Sequence, residues 1–287
     1  MLRLFRNALE DSADFLRLEK NVREGVTPIS VFGVSDGQKT HLATALATDR
    51  PVLFVAQGIS SAESIKNDYE FYTGKKAVIF PGLQYVFGAR FQSADVQAKR
   101  INALNECLKG VDALIVPFDA IMFNIAPPSM LCELKIDIQT GKVYSIEEIS
   151  KKLVLCGYKS VSQITAQGEF FVHGGIIDIF PINSENSVRI DFFDNEVETI
   201  RIVEPVSQRS VERINAIEIL PISEACATEE ALENAAQLIM DEVVRFNKSS
   251  KNKDAVQQAT DTFIPMAQKL KNGIYPINTD QLMPYIY

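Results

Sequence analysis

The chain has 287 residues, 46% of them hydrophobic, and a formal net charge of −8. That length predicts two or three domains with real cores. The acidic balance argues against a chain that grips a nucleic-acid backbone by overall charge, because phosphate binding needs concentrated Lys and Arg. Two histidines, His41 and His173, are too few for most zinc sites. The four cysteines, Cys107, Cys132, Cys156 and Cys226, form no C-x-x-C pair and read as thiols of a reducing cytosol. No apolar run approaches the roughly 20 residues of a membrane span, and no signal peptide is evident.

Residues 1–24 predict an amphipathic helix with Leu2, Phe5, Leu9, Phe15 and Leu18 on its apolar side, ended by Gly25. A strand is expected over Pro28–Gly33, then a loop, then a helix over Lys39–Ala47. Pro51–Ala56 reads as a buried parallel strand. Ser60 or Ser61 can cap the next helix. Strands at Ala77–Phe80 and Ala113–Val116 flank a helix at Ala94–Leu108. Strands alternating with helices in this way imply a parallel, doubly wound sheet, an α/β architecture.

The segment Gly33-Val34-Ser35-Asp36-Gly37-Gln38-Lys39-Thr40 lies in the register of the phosphate-binding pattern G-x-x-x-x-G-K-[ST]. Gln38 stands where the second glycine belongs, and a Cβ there resists close phosphate approach. Asp36 adds negative charge where triphosphate would lie. Gly33, Gly37, Lys39 and Thr40 remain, so the loop reads as vestigial. A working ATP site is the rival reading.

Beyond Pro117 the pattern changes. Pro127-Pro128 interrupts it, Leu131–Ile138 alternates, and Ser145–Cys156 predicts a short helix. Three strands are expected at 169–180, 187–193 and 196–203, punctuated by Gly174-Gly175 and by Asn183–Asn186. In the middle strand Val188, Ile190 and Phe192 share one face, and Arg189, Asp191 and Phe193 the other. Asp178 reads as structural, accepting backbone N–H bonds in the following turn. Glu229–Phe246 and Asp254–Leu270 predict solvated amphipathic helices, and the tail to Tyr287 shows no helix or strand.

The stretches GEFFVHGGIIDIFP (168–181) and VRIDFFDNEVETIRIVEPVSQRSVERINAIEILP (188–221) carry a long, specific motif order. They resemble the second domain of the bacterial transcription-repair coupling factors (Mfd), a module with a counterpart in the repair helicase UvrB. The resemblance extends more weakly over nearly the whole chain. It implies a P-loop-NTPase-like parallel sheet with helices on both faces, carrying an inserted, mainly antiparallel β domain. The expected division is 1–117 for the first part of the α/β domain, 118–208 for the insertion, and 209–287 for the return to the first domain. Met1 reads as a native start, so the chain is expected to be the N-terminal piece of a longer protein.

The resemblance also implies a role. In the family this module recruits UvrA to RNA polymerase stalled at DNA lesions. ATP and Mg serve a DNA-translocating motor that lies outside this segment, and no cofactor is expected within it. The family's UvrA-contacting residues correspond to Arg189, Phe193 and His173, the last replacing an arginine. Alanine at Arg189 or Phe193 is expected to leave the melting temperature nearly unchanged. The DNA-clamping hairpin of UvrB has no room between Leu83 and Ser93, where Tyr85, Phe87 and Phe91 read as packing residues. No catalytic constellation is visible, and the cytoplasm is the expected location. A UvrB-type ATPase fragment and a DNA-damage-binding module are the alternatives.

Overall fold

Ser12 accepts a hydrogen bond from the Phe15 N–H and opens helix α1, Ala13–Arg23, in a computed structural model describing residues 8–47, 50–83, 85–86, 89–90, 93–122, 125–204, 209–276 and 282–287. The helix expected over 1–24 is therefore interrupted at Ser12, whose hydroxyl favours a helix start over a helix interior. Leu2 and Phe5 lie outside the described residues. The strand expected over 28–33 does not form. Pro28 offers no ladder donor, Gly33 turns the chain at φ 76°, and Phe32 is left 88% exposed.

By contacts the chain divides into Met1–Leu83 with Ala103–Phe123, and Gln84–Asn102 with Asn124–Tyr287. The first unit holds α2 (Asp36–Leu46), β1 (Val52–Ala56), α3 (Ile59–Thr73) and β2 (Ala77–Ile79). A two-residue pair follows, β3 (Tyr85–Val86) against β4 (Ala89–Arg90), where a plain connection was expected; Phe87 and Phe91 lie outside the described residues. Helix α4 (Ala94–Lys109) contains the unit boundary, and β5 (Ala113–Pro117) runs into the short α5 (Phe118–Ile121).

Strands β1, β5 and β2 form a parallel sheet in that order. On one face Ala56, Ala113, Ile115 and Ala77 pack with Ala62 and Tyr69 of α3. On the other, Phe80 and Val116 pack with Ala103 of α4 and Ala120. Strand β1 is less buried than its apolar run predicts, with Leu53 and Val55 more than half exposed.

The second unit opens with α6 (Pro128–Leu134) and β6 (Ile136–Gln139), continues through α7 (Ile146–Leu155), and reaches β7 (Lys159–Ser160), β8 (Glu169–His173), β9 (Ile176–Phe180), β10 (Ser187–Phe193), β11 (Glu196–Val203) and β12 (Ser210–Ile214). These last six form one sheet in the order β12-β11-β10-β9-β8-β7, antiparallel except for β7 with β8. The single strand expected at 169–180 is thus a hairpin folded at Gly174-Gly175. A Cβ on Gly175 would sit 2.9 Å from the Phe192 carbonyl oxygen, so the turn admits only glycine there without a backbone shift. Strand β13 (Ala216–Ile219) returns to pair with β6.

The inner face of the large sheet contributes Ile177, Ile179, Val188, Ile190, Phe192 and Ile200 to a core closed by Ile149 and Leu153 of α7. Residues 209–287 group with this unit by contact. Helices α8 (Glu229–Ser249) and α9 (Lys253–Lys271) bury Leu232, Ala235, Ile239, Ala267 and Leu270 against each other, so they are more than solvated elements. The tail forms α10 (Met283–Ile286), where Met283 and Ile286 share a face and are both buried. The Tyr275 hydroxyl donates to the Leu155 carbonyl at 2.6 Å, and the Tyr287 hydroxyl to that of Cys226. Arg100 of α4 makes a bidentate pair with Glu224, at 2.7 and 3.0 Å, its side chain 1% exposed.

Candidate protein-interaction site

Period-2 alternation separates the two faces of β10. Val188, Ile190 and Phe192 are buried, while Arg189 and Asp191 are half-buried and Phe193 is 73% exposed. Register then fixes what shares the outer face. Arg189 lies opposite Asp178 and Arg201, and Asp191 opposite Ile176 and Thr199. One strand further, Asp178 faces Phe171 and Ile176 faces His173. Arg189, His173 and Phe193 thus sit on one face, with Arg189 and Phe193 roughly 13 Å apart along the strand.

The charges of this face are engaged with each other. Arg189 donates from Nε to Asp178 Oδ1 at 2.7 Å and from Nη2 to Oδ2 at 2.8 Å, a fork that matches guanidinium to carboxylate. Asp178 therefore serves Arg189, where backbone N–H groups were the expected donors. Its hydrogen bond holds the Arg189 guanidinium above its ordinary pKa. Arg201 donates to both oxygens of Asp191, at 2.8 and 3.0 Å, and the Thr199 hydroxyl donates to Asp191 Oδ2 at 2.5 Å. The sequence reading passed over Arg201 and Thr199. Their signal was strand parity: Thr199 faces Asp191 directly, and Arg201, which faces Arg189, reaches Asp191 on the diagonal, within range of a long side chain.

His173 stacks on Phe171, ring centroids 4.8 Å apart and planes 27° from parallel, and its buried Nδ1 has no hydrogen-bond partner among the described residues. Phe193 sits at the end of β10, beside the turn at Asp194, whose φ is 54°. An aspartate tolerates this left-handed backbone better than most side chains.

The segment 33–40 is arranged quite differently. Ser35 caps α2, and its N–H donates to Gln38 Oε1 at 3.1 Å, one half of a capping box. The residue that occupies the glycine position therefore closes the helix end. Lys39 Nζ donates to Asp36 Oδ1 at 2.7 Å, and that hydrogen bond holds the Asp36 carboxyl below its ordinary pKa. Thr40 is buried, 2% exposed. With no strand over 28–33, the strand that should precede a phosphate loop is missing here.

Among the described residues no group of His, Cys, Asp or Glu is placed to hold a metal ion, and no helix is long and apolar enough to cross a membrane. Cys156 and Cys226 are buried free thiols, and burial pushes the Cys156 thiol well above its ordinary pKa.

Residues 136–224, from β6 to just beyond β13, match the family described as the UvrB interaction domain. The chain is 28% identical to the transcription-repair-coupling factor of Bacillus subtilis over 221 residues, 75% of this chain. It is 30% identical to that of Staphylococcus aureus over 70% of this chain, and 27% identical to that of Escherichia coli over 64%. These matches cover 19%, 18% and 16% of the relatives' own lengths, so the chain spans about a fifth of each or less.

Proposed function

We propose that this chain, a relative of the transcription-repair-coupling factors over most of its length, is the N-terminal module of such a factor. Its task is to recruit UvrA to RNA polymerase stalled at DNA lesions, without catalysis of its own. The observation that carries this reading is a coincidence of place. The stretch that matches the UvrB interaction domain contains the six-stranded sheet, and that sheet displays Phe193 at 73% exposure. A large exposed aromatic beside ordered arginines suits a protein interface, where such residues act as anchors.

RNA polymerase and DNA are engaged by parts of the longer protein outside this chain, as are ATP and Mg. The three-stranded sheet is what this module keeps of a P-loop-NTPase-like fold. Support for a segment without nucleotide comes from Gln38 and Lys39, both bonded within their own loop. The cytoplasm, where stalled polymerase resides, is its place of work.

Titration of purified UvrA onto the chain tests the reading. Binding is expected, and Phe193→Ala should weaken it by roughly 1–3 kcal/mol while leaving the melting temperature unchanged. A chain that binds no UvrA at micromolar concentrations, or a Phe193→Ala form with parental affinity, overturns it.

A further inference from the structure

The edge of the large sheet beside Phe193 carries a second exposed apolar side chain. Val143 forms an antiparallel bridge with Glu196, and Glu196 pairs on its other side with Phe193. Paired residues in a sheet point to the same face. Phe193, Glu196 and Val143 therefore form a row across three chain segments, each about 5 Å from the next. Phe193 is 73% exposed, Val143 71%, and Glu196 is exposed between them.

Main-chain hydrogen bonds hold the row. Tyr144 N–H donates to the Asn195 carbonyl at 2.8 Å, and Val197 N–H to that of Lys142 at 2.9 Å. These bonds tie the tip of the β10–β11 hairpin to residues 142–144 from the turn after β6. The apolar pair is thus preorganised, and its side chains add nothing to the hydrogen bonding that holds it. Both residues fall within 136–224, the part matched to the UvrB interaction domain.

We infer that the partner surface extends across the hairpin tip to Val143, and that Phe193 and Val143 together seat an apolar element of UvrA with a basic side chain facing Glu196. This rests on the recruitment of UvrA proposed above. Charge complementarity and the continuity of the row with Phe193 select such an occupant: two apolar positions flank one carboxylate, with Asp194 and Glu198 also exposed nearby.

The test is a titration of UvrA with the chain and five variants, Phe193→Ala among them. Val143→Asp should weaken binding roughly tenfold, and Val143→Ala, which adds no charge, roughly threefold. Glu196→Lys should also weaken it. Val244→Asp, at an exposed position on α8, should bind within about twofold of the parent, as a change outside the surface does. Melting temperatures of the Val143 variants should match the parent, since that side chain is largely in solvent. If Phe193→Ala weakens binding while both Val143 variants bind like the parent, the extension to Val143 is overturned and the recruitment reading stands. If the unmodified chain binds no UvrA, both fall together.

Discussion

At the start of α2, Lys39 and Gln38 turn back on Asp36 and Ser35; at the tip of the β10–β11 hairpin, Phe193 and Val143 are turned out to solvent. Both segments carry residues of functional type. The difference lies in what satisfies them. A helix N-terminus places positions three apart side by side, so a lysine or glutamine there finds a partner in its own loop. A ring at a hairpin tip has no such local partner, and only another surface can cover it. The outer face of the sheet lies between these cases, its arginines engaged in cross-strand pairs yet still in reach of solvent.

The contrast can be sharpened first where the effect is largest, between neighbours on β10. Phe192 is 9% exposed and packs in the core, whereas Phe193 is 73% exposed. Phe192→Ala should destabilise the fold by roughly 3–5 kcal/mol, as core aromatics do. Denaturant unfolding measures this. Equal losses for Phe192→Ala and Phe193→Ala would mean that the two faces of β10 are not distinct.

Arg189 comes next, and here the structure revises the expectation of an unchanged melting temperature. Arg189→Ala strands the Asp178 carboxylate, whose side chain is only 15% exposed, so a stability loss of roughly 1–3 kcal/mol is expected. Removing both partners, Arg189→Ala with Asp178→Ala, should cost less than the two single losses added together. Additive losses in such a double-mutant cycle would show that the fork contributes nothing. It follows that Phe193→Ala is the cleaner probe of partner binding, because Arg189→Ala mixes lost contact with lost order.

Much of this face was legible in the sequence. Alternation in VRIDFF separates Arg189 and Phe193 from Ile190 and Phe192 by geometry alone, and the strand ends of β10 and β11 agree with the turn residues around them. The sequence was less informative where a position depends on a distant partner. Nothing local to Val143 announces an exposed bridge, since the strand that meets it lies more than fifty residues away. Asp178 looked like a turn acceptor because its donor is on another strand. The strand expected at 28–33 failed for a related reason: an apolar run becomes a strand only if a neighbouring edge takes it, and Phe32 found none. The helices α8 and α9 read as solvated because their buried stripes are partly alanine, which a hydropathy pattern underweights.

The smallest expected effect lies in the loop, and it bears most on whether that loop is a disused phosphate site. Gln38→Gly restores the letters of G-x-x-x-x-G-K-[ST] at the cost of the bond to the Ser35 N–H and of backbone freedom at the helix start. Together these should lower stability by about 1 kcal/mol or less. Nucleotide binding is not expected to appear with the glycine. Lys39 would still lie beside Asp36, and a carboxylate where triphosphate must approach opposes it by charge. The loop would also still lack a preceding strand to aim its N–H groups at a single point. Isothermal titration of Mg-ATP into the parent chain and into Gln38→Gly should therefore give only heats of dilution. Micromolar binding by Gln38→Gly that disappears on adding Lys39→Ala would show instead that one side chain separates this loop from function. The loop would then belong with the hairpin tip, as a surface awaiting its ligand.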